Sequence, residues 1–87
     1  MPIVWIPSLM RDLTDGGSQI EVGGRTVGQV IEALDRAYPG VKERLCEGDR
    51  INPSLAVSVD GKVTKLGLLA RVGEHSEIHF LPRMAGG

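Results

Sequence analysis

Only one stretch of this chain has the period of a helix, and that limits the fold more than any other feature. Thr26 is followed three residues later by Gln29, the pattern in which each side chain satisfies a free backbone N–H at a helix start. Val27, Val30, Ile31, Leu34 and Tyr38 then recur at helical spacing as one apolar stripe, with Glu32, Asp35 and Arg36 opposite. Pro39-Gly40 stops the run. One amphipathic helix can cover only one face of a sheet. The other face must meet water or a partner.

Strand signals surround this helix. Ile3 to Ile6, bounded by prolines, reads as a first strand, and Ser18 to Val22 as a second with Ile20 and Val22 on one face. Ser8 to Gly17 reads as the loop between them. Leu55 to Val59 alternates strictly, and Asp60-Gly61 then suits a tight primed turn because both central residues take positive φ. Lys62 to Thr64 is the short return strand. Glu77 to Leu81 is the last, with Ile78 and Phe80 on one face and His79 and Leu81 on the other, until Pro82 ends it. Between them, Val41 to Leu45 reads as a short helical turn and Glu47 to Pro53 as a polar loop. Leu66, Leu68, Leu69 and Val72 are available to plug the end of the core.

The spacing therefore predicts an α+β domain over residues 1–82. Its sheet is mixed but mostly antiparallel, of four to five strands, with one main helix on one face. Residues 83–87 form a flexible tail. The apolar set expected to pack together is Val27, Val30, Ile31 and Leu34 against Val4, Ile6, Ile20, Leu55, Val57, Ile78 and Phe80.

Ten Lys and Arg are scattered among eleven Asp and Glu, and aromatics make up only 3%. With no basic stripe and little to stack on bases, nucleic-acid binding is disfavoured. The opening Met1-Pro2-Ile3-Val4-Trp5-Ile6-Pro7 lacks a positive segment, and its apolar run lies between prolines, so neither a signal peptide nor a membrane span is expected. One cysteine allows no intrachain disulfide, and a cytoplasmic, monomeric protein is the expectation. Cys46 lies near Glu43, Glu47 and Asp49, which would raise its thiol pKa, so it reads as structural. His75 and His79 have no accompanying ligand set, so no metal and no cofactor are expected. Glu77 and the Asp60 turn read as solvated polar positions.

The tail is the most chemical part of the chain. Glycine has no Cβ, so a Gly86-Gly87 end can enter a channel closed to any other residue and present a carboxylate to an ATP α-phosphate inside another protein. Val4-Trp5-Ile6-Pro7, Thr26-Val27-Gly28-Gln29-Val30-Ile31, Tyr38-Pro39-Gly40, Ile78-His79-Phe80-Leu81-Pro82 and Ala85-Gly86-Gly87 together resemble the ThiS/MoaD sulfur carriers of the ubiquitin-like β-grasp fold. The resemblance runs the length of the chain. Ile6-Pro7-Ser8 before Leu9-Met10-Arg11, the Gly16-Gly17 pair and Glu43-Arg44-Leu45 resemble the branch that supplies sulfur for cysteine synthesis.

This resemblance implies a protein co-substrate that supplies no catalytic group of its own. A ubiquitin-activating-like adenylyltransferase would adenylate Gly87, and sulfur would displace AMP to leave a thiocarboxylate. Gly86 and Ala85 would thread the channel. A sulfur-accepting synthase, with a cysteine synthase-like enzyme favoured, would take the sulfur. In a β-grasp fold the first and last strands are adjacent and parallel. Trp5, His79 and Leu81 would then cluster on the open face above the tail, with Arg83, and also Arg11, available for charge contacts with a partner. Three alternatives stay open. One is a modifier conjugated to lysines. Another is a carrier for molybdopterin, thiazole, a tRNA base or a secondary metabolite. The third is an adaptor whose tail is idle.

Overall fold

The computed structural model describes residues 1–83, so Met84, Ala85, Gly86 and Gly87 lie outside the described residues. Strands β1 (Ile3–Trp5) and β2 (Gln19–Glu21) are followed by helices α1 (Val27–Ala37) and α2 (Val41–Leu45). A small ribbon, β3 (Cys46–Glu47) and β4 (Arg50–Ile51), precedes β5 (Leu55–Val59), β6 (Lys62–Thr64) and β7 (Glu77–Pro82). The main sheet has five strands in the order β2-β1-β7-β5-β6. Only β1 and β7 run parallel, with Val4 opposite Ile78 and Trp5 opposite His79. The other pairings are antiparallel, as the sequence predicts. This is the ubiquitin-like β-grasp arrangement.

The helix forms where its stripe demands. Val27, Val30, Ile31 and Leu34 are fully or almost fully buried and share one core with Val4, Ile6, Val57, Ile78 and Phe80, while Ile20 and Leu55 pack at its margin. Thr26 caps the helix, its Oγ1 accepting from the Gln29 N–H at 3.1 Å. The reciprocal bond is shifted by one residue from the capping-box expectation: Gln29 Oε1 accepts from the Arg25 N–H at 2.9 Å. Gly24, at φ 150°, is required just before the cap, since a Cβ there would stand 2.8 Å from Val30 Cγ2. Past Tyr38, Asp35 Oδ1 accepts from the N–H groups of Gly40 and Lys42 at 3.1 and 3.0 Å, which ties α2 back to α1.

Four sequence expectations need correction. The Glu47 to Pro53 stretch is not all loop, because Cys46 pairs with Ile51 and Glu47 with Arg50 around Gly48, whose φ is 64°. Leu68 and Val72 join the core, but Leu66 and Leu69 do not plug it. They stand 64% and 77% exposed, because the 3-10 turn Gly67–Leu69 places residues three apart on the same outer side. With Ile51 and Leu55 they line a groove of about 700 Å³ that Arg83 also borders. The Ser8–Gly17 connection is more than a link, since its Met10 and Thr14 are buried. Thr14 Oγ1 donates to Gly17 O at 2.8 Å and closes it.

The fourth correction concerns Asp60, which is not a passive turn residue. Asp60 and Gly61 have φ of 52° and 85°, the primed turn expected. The Asp60 carboxylate also accepts from Ser76 Oγ at 2.8 Å and from the Glu77 N–H at 2.9 Å. The Asp60 N–H donates to Glu77 O at 2.9 Å. The hairpin tip is thus clasped to the first residue of β7. These bonds, the Glu77 N–H first and the Ser76 hydroxyl second, hold the Asp60 carboxyl below its ordinary value.

Two measurements check this account. Ile78→Ala should lower stability by roughly 2–5 kcal/mol in chemical denaturation, since Ile78 is fully buried beneath the helix. An unchanged midpoint would mean that the register is wrong. Asp60→Asn should lower the melting temperature near neutral pH. Because the folded-state pKa is depressed, the charged form stabilises the fold above the ordinary value of 3.8, and that contribution disappears as pH falls through the folded value. The gap between parent and variant should therefore close on strong acidification. A gap that is constant with pH would rule the clasp out.

Candidate functional site

The open face of the sheet follows directly from the register. Side chains alternate along each strand, so burial of Val4 and Ile78 against the helix turns Trp5 and His79 outward. Cα pairing then lines up Gln19, Trp5, His79, Ser58 and Val63 as one row across all five strands. Leu81, 40% exposed, lies one step further along β7 opposite Ala56. Ile3 and Glu77 form the step on the other side.

Trp5 and His79 are the centre of this face. Their rings stack with centroids 5.2 Å apart and planes 11° from parallel. The indole Nε1–H donates to Glu77 Oε1 at 3.0 Å. Both rings are half-buried, although they face away from the core. Glu77, read from the sequence as a solvated position, is the residue that sequence reasoning missed. Its bond to Trp5 crosses 72 positions of chain, and only the β1–β7 register could have revealed it.

The remaining candidates fall elsewhere. Arg83 is exposed, and its N–H donates to Ser54 O at 2.8 Å, so the chain leaves β7 still tied to the start of β5. It borders the groove with Leu66 and Leu69. Arg11 Nε donates to Ile6 O at 3.3 Å. Gly87, Gly86 and Ala85 lie outside the described residues. Cys46 is buried, and its thiol pKa is pushed up as the sequence suggests, but for another reason. Burial is the main cause, and the carboxylates that add to it are Glu32 and Asp35, not Glu43, Glu47 or Asp49. Lys42, ion-paired with Glu32, opposes them. Among the described residues no group of three or more His, Cys, Asp and Glu could hold a metal ion. No helix among them is long and apolar enough to cross a membrane.

An outward aromatic pair at the middle of a sheet, with Leu81 beside it, is a setting in which Trp commonly serves as an interface anchor.

Known proteins share both fold and sequence with this chain. The Mycobacterium tuberculosis protein named sulfur carrier protein CysO is 28% identical over 89 residues, which spans 97% of this chain and 96% of that protein. A chain in the crystal structure of the Amycolatopsis orientalis BexX/CysO complex matches with a TM-score of 0.92 at 29% identity, covering 100% of both. The solution structure of small archaeal modifier protein 1 from Methanosarcina acetivorans matches at 0.78 and 23% identity over 99% of this chain and 95% of that one, a likeness of fold alone. The model of the ThiS family matches residues 4–87, from β1 to the final glycine. On that match, over nearly its whole length, the chain belongs to the ThiS family.

Proposed function

We propose that this protein is a sulfur carrier whose Gly87 carboxylate is converted to a thiocarboxylate by an ATP-dependent activating enzyme. The carrier is the co-substrate, and the catalytic groups belong to its partners. The observation that carries the reading is a division of labour within the chain. A family match that includes Gly87 accompanies a folded body whose aromatic surface, Trp5 and His79 with Leu81, lies on the strand that leads to the tail and on its parallel neighbour. That surface supplies recognition. The Gly86-Gly87 end supplies a carboxylate without side chains to obstruct it.

The chemistry balances in two steps. A Gly87 carboxylate oxygen attacks the α-phosphorus of ATP, the bond to the β-phosphate breaks, and pyrophosphate leaves. Sulfide then attacks the acyl carbon, AMP departs with the oxygen that bridged it, and one proton is released. The product thiocarboxylate delivers its sulfur to an accepting synthase. Kinship with proteins named sulfur carrier protein CysO favours cysteine formation in the cytoplasm, with a cysteine synthase-like enzyme as acceptor. Ala85 and Gly86 thread the channel, and Trp5, His79, Leu81 and Arg83 meet the partner.

Intact-protein mass spectrometry after incubation with the activating enzyme, ATP and sulfide tests the central claim. One sulfur in place of one oxygen at Gly87 is expected. Sulfur on Cys46 instead, or none while the enzyme is demonstrably active, would overturn it. Gly87→Ala should slow adenylation by up to roughly a hundredfold, the scale of a misplacement of about 1 Å. A residue appended after Gly87 should abolish it. A ladder of higher-mass conjugates on immunoblots of cell extract would favour the modifier alternative.

The docking surface has its own test. Trp5→Ala should weaken the complex with the activating enzyme by about 2 kcal/mol or more and leave the melting curve close to that of the parent, because the ring lies outside the core. Unfolding of the variant, or unchanged binding, would contradict this assignment.

A further inference from the structure

The Trp5 indole is held more firmly than an outward side chain on an open sheet needs to be. One ring face lies on His79, and its only hydrogen-bond donor is engaged by Glu77. Two contacts from different residues of β7 fix both torsions of the side chain. The acceptor is itself fixed. Glu77 donates its N–H to Asp60 Oδ1 and accepts the Asp60 N–H at its carbonyl, each at 2.9 Å, and Ser76 Oγ braces the same Asp60 carboxylate. A chain of bonds therefore runs from the β5–β6 hairpin tip, through the start of β7, to the ring at the centre of the open face.

A stabilising role for the last bond is weak on physical grounds. It is solvent-exposed, and exposed hydrogen bonds between side chains exchange with water at little net gain. What the bond does change is freedom. A tryptophan released from it would have to be ordered when a partner docks, and ordering a side chain at an interface weakens binding.

We propose that Glu77 is a positioning residue for partner recognition: its carboxylate holds the Trp5 indole flat on His79 in the free protein, so that the docking face is already arranged when the activating enzyme arrives. This rests on the sulfur-carrier reading for the identity of the partner, but not for the state of the ring. Asp60 acts through Glu77 by fixing its backbone. Neither residue has a part in the transfer of sulfur.

Trp5 is the only tryptophan in the chain, so its fluorescence and its indole N–H resonance report this ring alone. Glu77→Ala should lower the steady-state anisotropy of that fluorescence and speed exchange of the indole N–H with solvent, with the melting temperature little changed. It should also weaken binding to the adenylyltransferase that loads Gly87 by roughly three- to tenfold. Glu77→Gln keeps an oxygen acceptor without the charge, and it should restore both the held ring and the affinity. The proposal fails if the ring in Glu77→Ala is as immobile as in the parent, or if the freed ring leaves binding unchanged. It also fails if Glu77→Gln binds as poorly as Glu77→Ala, since Glu77 would then act by its charge on the partner. Unchanged binding by Trp5→Ala would remove the docking face and this proposal together. The mass of Gly87 after loading judges the carrier reading separately from all of these.

Discussion

The parallel register of β1 on β7 is the constraint on which the rest of the molecule depends. Val4 opposite Ile78 and Trp5 opposite His79 are two consequences of one alignment. The first pair is completely buried beneath α1, and the second pair faces outward as a stack. A slip of one residue would exchange the two faces, burying an indole and an imidazole while exposing the apolar floor of the core. The core therefore enforces the position of the outward Trp5–His79 stack. No separate device is needed to point Trp5 at solvent.

Parallel pairing also dictates the path between the two strands. Parallel neighbours cannot be joined by a tight turn, so the chain must cross over, and α1 lies on that crossing. The helix start is accordingly anchored with care. Val27 N–H donates to Ala70 O and Val72 N–H to Arg25 O, both near 3 Å, so the segment entering α1 is pinned to the segment that leads towards β7. Gly24 gives the backbone the close approach to Val30 that this entry needs. The apolar stripe of the helix does the rest, buried in one core with the inward residues of the sheet.

What could be read from the sequence depended on period and on sequence distance. The helix, the alternation in Leu55 to Val59 and in Glu77 to Leu81, and the Asp60-Gly61 turn were legible, because each is a local pattern with a local cause. The β3–β4 ribbon was not, because two-residue strands carry no period. Leu66 and Leu69 read as core plugs by hydropathy alone, yet a 3-10 turn turns both outward. The misread polar residues share one trait. Asp60 reaches across 17 positions to Glu77, and Glu77 across 72 to Trp5, so their partners are adjacent only after the sheet has formed. Cys46 shows the same limit: its neighbours in sequence suggested the right direction, but burial and the distant Glu32 and Asp35 are what act. Of the candidate site, the facing of Trp5, His79 and Leu81 was readable by strand parity. The stack and its hydrogen bond were not.

Under the proposed function, recognition would belong on the open face. Two glycines have no side chains, and a sequence without side chains cannot tell one enzyme from another. If the Gly86-Gly87 end is to enter a narrow channel, identity must be carried by residues elsewhere. They must lie close to the strand that leads to the tail, and they must be free to differ between relatives without loss of the fold. Outward positions on β1 and β7 meet these conditions. They lie on the last strand and its parallel neighbour and outside the buried cluster, and the Trp5–Glu77 hydrogen bond is exposed. On that reading, substitution there would alter the partner surface more than the stability of the domain, whereas the inward neighbours Val4 and Ile78 have no such freedom. The alternation of a β-strand thus separates the two demands at a spacing of one residue.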